Sequence, residues 1–125
     1  MGSPLGTTTW IIAEGWIPPH SSGPQPEMVS HETACILNAG DREAHVELTI
    51  YFTDREPAGP YRVVVGPRRT LHQRFNDLRD PEPVPLGTDF SCVLTSDEPV
   101  VVQHTRIDTR QSAAALLSTI AYAAR

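Results

Sequence analysis

Across residues 45–53 the side chains alternate without a break. Val46, Leu48, Ile50 and Phe52 fall on one phase; Glu47, Thr49, Tyr51 and Thr53 fall on the other. A period of two belongs to an extended strand with one buried and one wetted face, and a helix cannot present it. Shorter runs of strand-forming residues recur at 10–14, 33–37, 61–65, 69–75, 90–95, 100–107 and 116–123. Twelve prolines and eight glycines separate them, including the turn signal Asn38-Ala39-Gly40-Asp41. Helical periodicity is nearly absent; only residues 110–120 could form a turn or two. The 125 residues therefore predict one all-β domain, a β-sandwich or jelly-roll-like fold of about eight short strands. The domain is expected over residues 9–125, after a flexible start at 1–8. Residues 90–95 and 100–107 are expected to form a hairpin-like pair around Ser96-Asp97-Glu98-Pro99. The proline-rich stretch 16–26 is expected to be a loop anchored by Trp16 and Ile17.

Charge narrows the partners. The formal net charge is −5, which argues against nucleic acid as a main partner, because duplex binding rests on neutralising phosphates. No apolar run approaches the roughly 20 residues that span a bilayer, and the start lacks the pattern of a signal peptide. A cytoplasmic location is expected, with Cys35 and Cys92 as buried, reduced thiols. His31, His72 and His104 follow no metal-ligand spacing, so no metal or cofactor is expected.

The most informative stretch for chemistry is 98–110. An apolar strand, Val100-Val101-Val102, runs on into His104, Arg106, Asp108 and Arg110, all on one phase. Ionic groups in a row on one strand face must pair, meet water or meet a ligand, since burying them unpaired costs several kcal/mol each. Two outcomes stay open: a ligand site, or a salt-bridge network in which Arg106 or Arg110 pairs with Asp108 or Glu14. Arginine donates in a planar fork suited to carboxylates or vicinal hydroxyls, and aspartate accepts from hydroxyls. The expected ligand residues are Glu14, His104, Arg106, Asp108 and Arg110, with Arg69, Asn76 and Asp77 at the rim. His31 and Glu32, as neighbours on a strand, point to opposite faces and cannot both serve one site. Trp10 and Trp16 are core anchors or a platform for a sugar ring. Contiguous Ser30, His31 and Glu32 do not make a triad, and no nucleophile elbow is present, so no catalytic residue is expected. An alternative is a carbohydrate-active enzyme using Glu14 and Asp89 as its carboxylate pair.

Five segments in order, WIIAEGWIPP at 10–19, SHETACILNAG at 30–40, RFNDL at 74–78, QHTR at 103–106 and LSTIAY at 117–122, resemble the sensory rhodopsin transducer family. The resemblance covers nearly the whole chain. It implies a compact β-sandwich assembled as a cytoplasmic homotetramer, with the cytoplasmic face of a sensory rhodopsin as one partner. It also implies a wider role as a small-molecule-binding domain, with sugar-like ligands, in signal transduction. A purely structural oligomer, with the ionic row at the subunit seam, is the remaining alternative.

Overall fold

The computed structural model describes residues 4–26 and 28–124. Eight strands carry the fold: β1 (Thr7–Gly15), β2 (His31–Asn38), β3 (Ala44–Phe52), β4 (Ala58–Val65), β5 (Arg69–Arg74), β6 (Phe90–Asp108), β7 (Ala115–Ile120) and β8 (Tyr122–Ala123). Among the described residues the only helical element is a 3-10 turn at Phe75–Asp77. Residues 1–3 of the expected flexible start lie outside the described residues, and β1 begins at Thr7. Every strand pairing is antiparallel, so the all-β reading holds.

The strands form two sheets that share β6. Its first half lies between β1 and β3, with β4 beyond β3 and β8 beyond β1. Its second half lies between β2 and β7, with β5 beyond β2. The expected hairpin within residues 90–107 is therefore wrong: these residues lie in one strand of 19, Phe90–Asp108. Ser96 still pairs with Val46, and Val100 pairs with Thr7. Residues 97–99 fall between these ladders, so the missing N–H of Pro99 breaks no sheet hydrogen bond. The strand bends from one sheet into the other where a turn was expected.

One core fills the space between the sheets. Val46, Leu48 and Ile50 of β3 are buried, as their alternation predicts, and Phe52 is half-buried at the strand's end. Ala34 and Ile36 of β2 join them from the other sheet, and Ile12 of β1 with Val100 and Val102 of β6 belong to the same buried cluster. Each such aliphatic side chain, fully buried, contributes about 1.5–3 kcal/mol. Ile17 is completely buried and anchors the proline-rich loop, while Trp16 is only half-covered. Trp10 is buried, and its indole N–H donates to the Val100 carbonyl at 2.9 Å. Gly59 sits at φ +138 beside a bulge between Leu48 and Ile50; a Cβ there would stand 2.8 Å from the Leu48 oxygen. Both cysteines are free, but Cys35 is only half-buried because it lies on the uncovered face of its sheet. Burial pushes the Cys92 thiol far up, so it stays protonated.

The bend in β6 is pinned to β3 from outside. Asp97 accepts from the His45 backbone N–H and from its Nδ1, each at 2.7 Å, and Glu43 approaches the other ring nitrogen at 3.0 Å. The hydrogen bond and charge of Asp97 raise the His45 pKa above 6.5, and His45 holds Asp97 below 3.8. The histidine's contribution is full below its unfolded pKa and fades as pH rises through its folded value. The aspartate's is lost as pH falls through its own folded value. Titration of the His45 ring protons by NMR should give a pKa above 6.5, and Asp97→Asn should return it toward that value.

Candidate functional site

Strand phase delivers the site. On β6 the even-numbered residues Val100 and Val102 face the core, and the next two on that phase are His104 and Arg106. On β2, Glu32 shares the inward phase of Ala34 and Ile36. The ladder pairs Glu32 with Arg106 and Ala34 with His104, so a carboxylate, an imidazole and a guanidinium meet inside the sandwich.

Glu32 is fully buried and is the centre of the cluster. Its Oε1 accepts from Nε2 of His104, which fixes that ring nitrogen as the donor. Its Oε2 accepts from the Trp16 backbone N–H at 2.6 Å and from Arg106 Nε at 2.9 Å. Arg106 Nη2 lies 2.8 Å from the same oxygen but is not aligned as a hydrogen bond, so this buried nitrogen has no acceptor of its own. Arg106 Nη1 reaches Glu14, which is 83% exposed, at 3.4 Å. Burial works against the Arg106 charge, yet Glu32, with help from Glu14, outweighs it and holds the guanidinium above its ordinary pKa.

The ionic row thus splits. Asp108 ends β6 and Arg110 lies beyond it, where the two form a closed pair with a shortest contact of 2.7 Å. The hydrogen bond from Arg110 holds the Asp108 carboxyl below 3.8. The Arg110 guanidinium stacks 5.0 Å from the Trp16 ring centroid. Asn76 grips the start of β2: its Nδ2 donates to the Ser30 carbonyl at 3.1 Å, and its Oδ1 accepts from the Glu32 N–H at 3.4 Å. Asp77 is exposed in the 3-10 turn. Arg69 pairs with Asn38, at the opposite end of β2 from Glu32, about 20 Å along the strand. Its guanidinium is used by the Pro67 and Arg68 carbonyls.

Sequence reasoning set Glu32 aside, although it is the anion that organises the site. The signal was its place on the same phase as Ala34 and Ile36, where a charge must find a buried partner. Ser30 and Thr109 were missed as well. Ser30 Oγ accepts from the Thr109 N–H at 2.8 Å, tying the residue before β2 to the residue after β6. Nothing in the spacing announces that contact.

Two clefts border this cluster. The smaller, about 220 Å³, lies between β1, β6, β7 and β8 and is lined by Ile11, Glu14, His104, Arg106, Leu117 and Tyr122, among others. The larger, about 440 Å³, contains both Glu14 and Asp89 with Trp16, Tyr51 and Phe52. Glycoside cleavage asks for one carboxyl in an apolar enclosure, and both of these acids are exposed. Among the described residues, no group of three His, Cys, Asp or Glu side chains is arranged to hold a metal ion.

The two ionic pairs should differ sharply in weight. Glu32→Ala removes the partner of buried charge and should cost about 3–5 kcal/mol in denaturant unfolding. Arg110→Ala, at a solvent-screened pair, should leave the unfolding midpoint nearly in place. Equal costs would mean that the buried cluster does not hold the fold.

Comparison with known proteins follows the same residues. The family model described as Anabaena sensory rhodopsin transducer matches residues 5–123. The solved structure of Anabaena sensory rhodopsin transducer is 60% identical, covering 83% of this chain and 100% of its own, with a TM-score of 0.76. The crystal structure of Thermotoga maritima 1070 is 32% identical, covering 96% of this chain and 97% of its own, with a TM-score of 0.86. No curated protein matches. Among the described residues, no helix is long and apolar enough to cross a membrane. With the profile spanning both sheets, the buried cluster and the last strands, the chain belongs to the Anabaena sensory rhodopsin transducer family.

Proposed function

We propose that this chain is a cytoplasmic, non-enzymatic transducer that works as a homotetramer. It takes up a small polar, sugar-like ligand beside Glu14, His104 and Arg106 and relays that state to a partner surface such as the cytoplasmic face of a sensory rhodopsin. One observation carries the reading: the ladder sets Arg106 opposite Leu117 and His104 opposite Thr119, so the ionic cluster is paired directly with β7.

That strand is built for contact with protein. Every residue of β7 is exposed, and Leu116, Leu117, Ile120 and the following Tyr122 are 69%, 49%, 59% and 69% exposed. Residues 111–124 carry no charge at all. Among the described residues β7 pairs only with β6, and a neutral strand edge without charges or proline invites a partner strand or face. On the other side of the ladder, Arg106 lines the smaller cleft with its Nη1 turned toward Glu14, and Glu14 at the mouth accepts from a hydroxyl. A ligand that draws Arg106 away from Glu14 acts on the residue opposite Leu117. It then shifts the population of subunit arrangements by its preference for one of them. The enzyme alternative has the exposed acids Glu14 and Asp89 against it.

Sedimentation of the full chain should show a tetramer that Leu116→Glu and Ile120→Glu convert to monomer; a tetramer that survives both changes removes β7 as the contact. Calorimetry with monosaccharides and sugar acids should find a binder that Arg106→Ala weakens about tenfold or more. A wild-type chain that binds nothing in that series, or a variant that binds unchanged, ends the ligand role. Binding to a purified sensory rhodopsin should be lost with the same β7 changes. Turnover of a chromogenic glycoside would favour the enzyme instead.

A further inference from the structure

The larger cleft has a chemistry of its own, and we propose that it binds an organic cation of the alkyl- or methylammonium class. It lies between the end of β1, the end of β3 and the start of β6, and its volume of about 440 Å³ falls within the range of small-molecule sites. Its charged lining residues, Glu14 and Asp89, are both anionic. Asp89 makes no ion pair among the described residues, and Glu14 has only the 3.4 Å contact with Arg106 on its far side. An anionic ligand is disfavoured there, and a cation gains from both carboxylates.

Three aromatic residues at the rim and wall, Trp16, Tyr51 and Phe52, supply the second half of the site. A ring face carries negative potential and attracts a cation within about 6 Å of its centroid. The protein itself demonstrates this use. Arg55 lies 5.0 Å from the centroid of Phe52, and Arg110 lies 5.0 Å from that of Trp16. Two rings lining the cleft thus already hold guanidinium groups, while among the described residues no cation is stacked on Tyr51, which is 44% exposed. The Ser91 hydroxyl is committed to the Ala13 carbonyl at 2.6 Å, so it is not free to donate to a ligand. A site with carboxylates, π faces and few free donors suits an ammonium better than a polyol. The closeness of the floor follows from Gly15, where a Cβ would stand 2.4 Å from the Phe90 ring. This assignment rests on the cleft's own lining and does not depend on a ligand at Arg106.

Choline and its uncharged dimethylbutanol isostere provide the test, titrated into the full chain by calorimetry alongside glucose. Choline should bind saturably and about fivefold or more tighter than the isostere. Asp89→Asn and Tyr51→Leu, both at exposed positions, should each weaken it about threefold or more while leaving the unfolding midpoint in place. Absence of saturable choline binding overturns the proposal. Equal affinity for choline and its isostere does so too, as does tighter binding of glucose or choline binding unchanged in both variants.

Discussion

A single strand that serves two sheets governs this structure. Because β6 continues through its bend, the inward phase of Phe90, Cys92 and Leu94 passes the half-buried Ser96 and Glu98 and resumes at Val100 and Val102, and then reaches His104 and Arg106. The strand cannot turn its ionic groups outward without also exposing the valines before them, since a shift of one residue exchanges the faces. The buried charge is therefore a consequence of register, and the fold must supply a counter-charge at that depth. Glu32 on β2 is that counter-charge, and the ladder that pairs it with Arg106 is the one that aligns Ile36 with Val102.

Burying such a cluster is not in itself stabilising, because removing both charges from water costs about as much as their attraction returns. What it provides is an alignment that tolerates no substitute. Glu32 receives hydrogen bonds from three residues on two segments: His104 and Arg106 on β6, and Trp16 in the loop after β1. Asn76 and Ser30 then hold the start of β2 so that the carboxylate arrives at the right height. A slip of β2 against β6 would leave a buried carboxylate and a buried guanidinium unpaired, so the cluster selects the register that the apolar core alone would only favour.

Much of this was legible in the residues. The alternation at Val46, Leu48 and Ile50 specified β3 and its buried face, and the run from Val100 to Arg106 marked the site strand. Two misreadings have physical causes. Asp97, Glu98 and Pro99 carry turn chemistry, but turn chemistry also suits a strand that crosses between sheets, where no ladder bond is required of those residues. Glu32 was judged by its neighbour His31, when its phase relative to Ala34 and Ile36 was the deciding fact. The split of Asp108 and Arg110 from the cluster depends on β6 ending at Asp108, and boundaries of that kind are set by tertiary contacts such as Ser30 with Thr109. Arg69 and Asp77 were grouped with the site by chemistry alone, without a strand register to say how far away they lie.

Glu14 joins the two clefts, so any coupling between them passes through it. It lines both, is largely exposed, and is held only by a 3.4 Å contact with Arg106. A cation entering the larger cleft attracts Glu14 and loosens that contact. Arg106 keeps Glu32 but loses its second counter-charge, which leaves its outer nitrogens better able to meet an oxygen-bearing ligand in the smaller cleft. The same movement takes Glu14 away from a hydroxyl in the smaller cleft, so the two effects oppose each other, and linkage requires whatever coupling remains to be equal in both directions. Because Arg106 is paired across the ladder with Leu117, the same displacement is felt at the uncovered strand. The shared carboxylate is thus the element through which the two proposed ligands would act on each other.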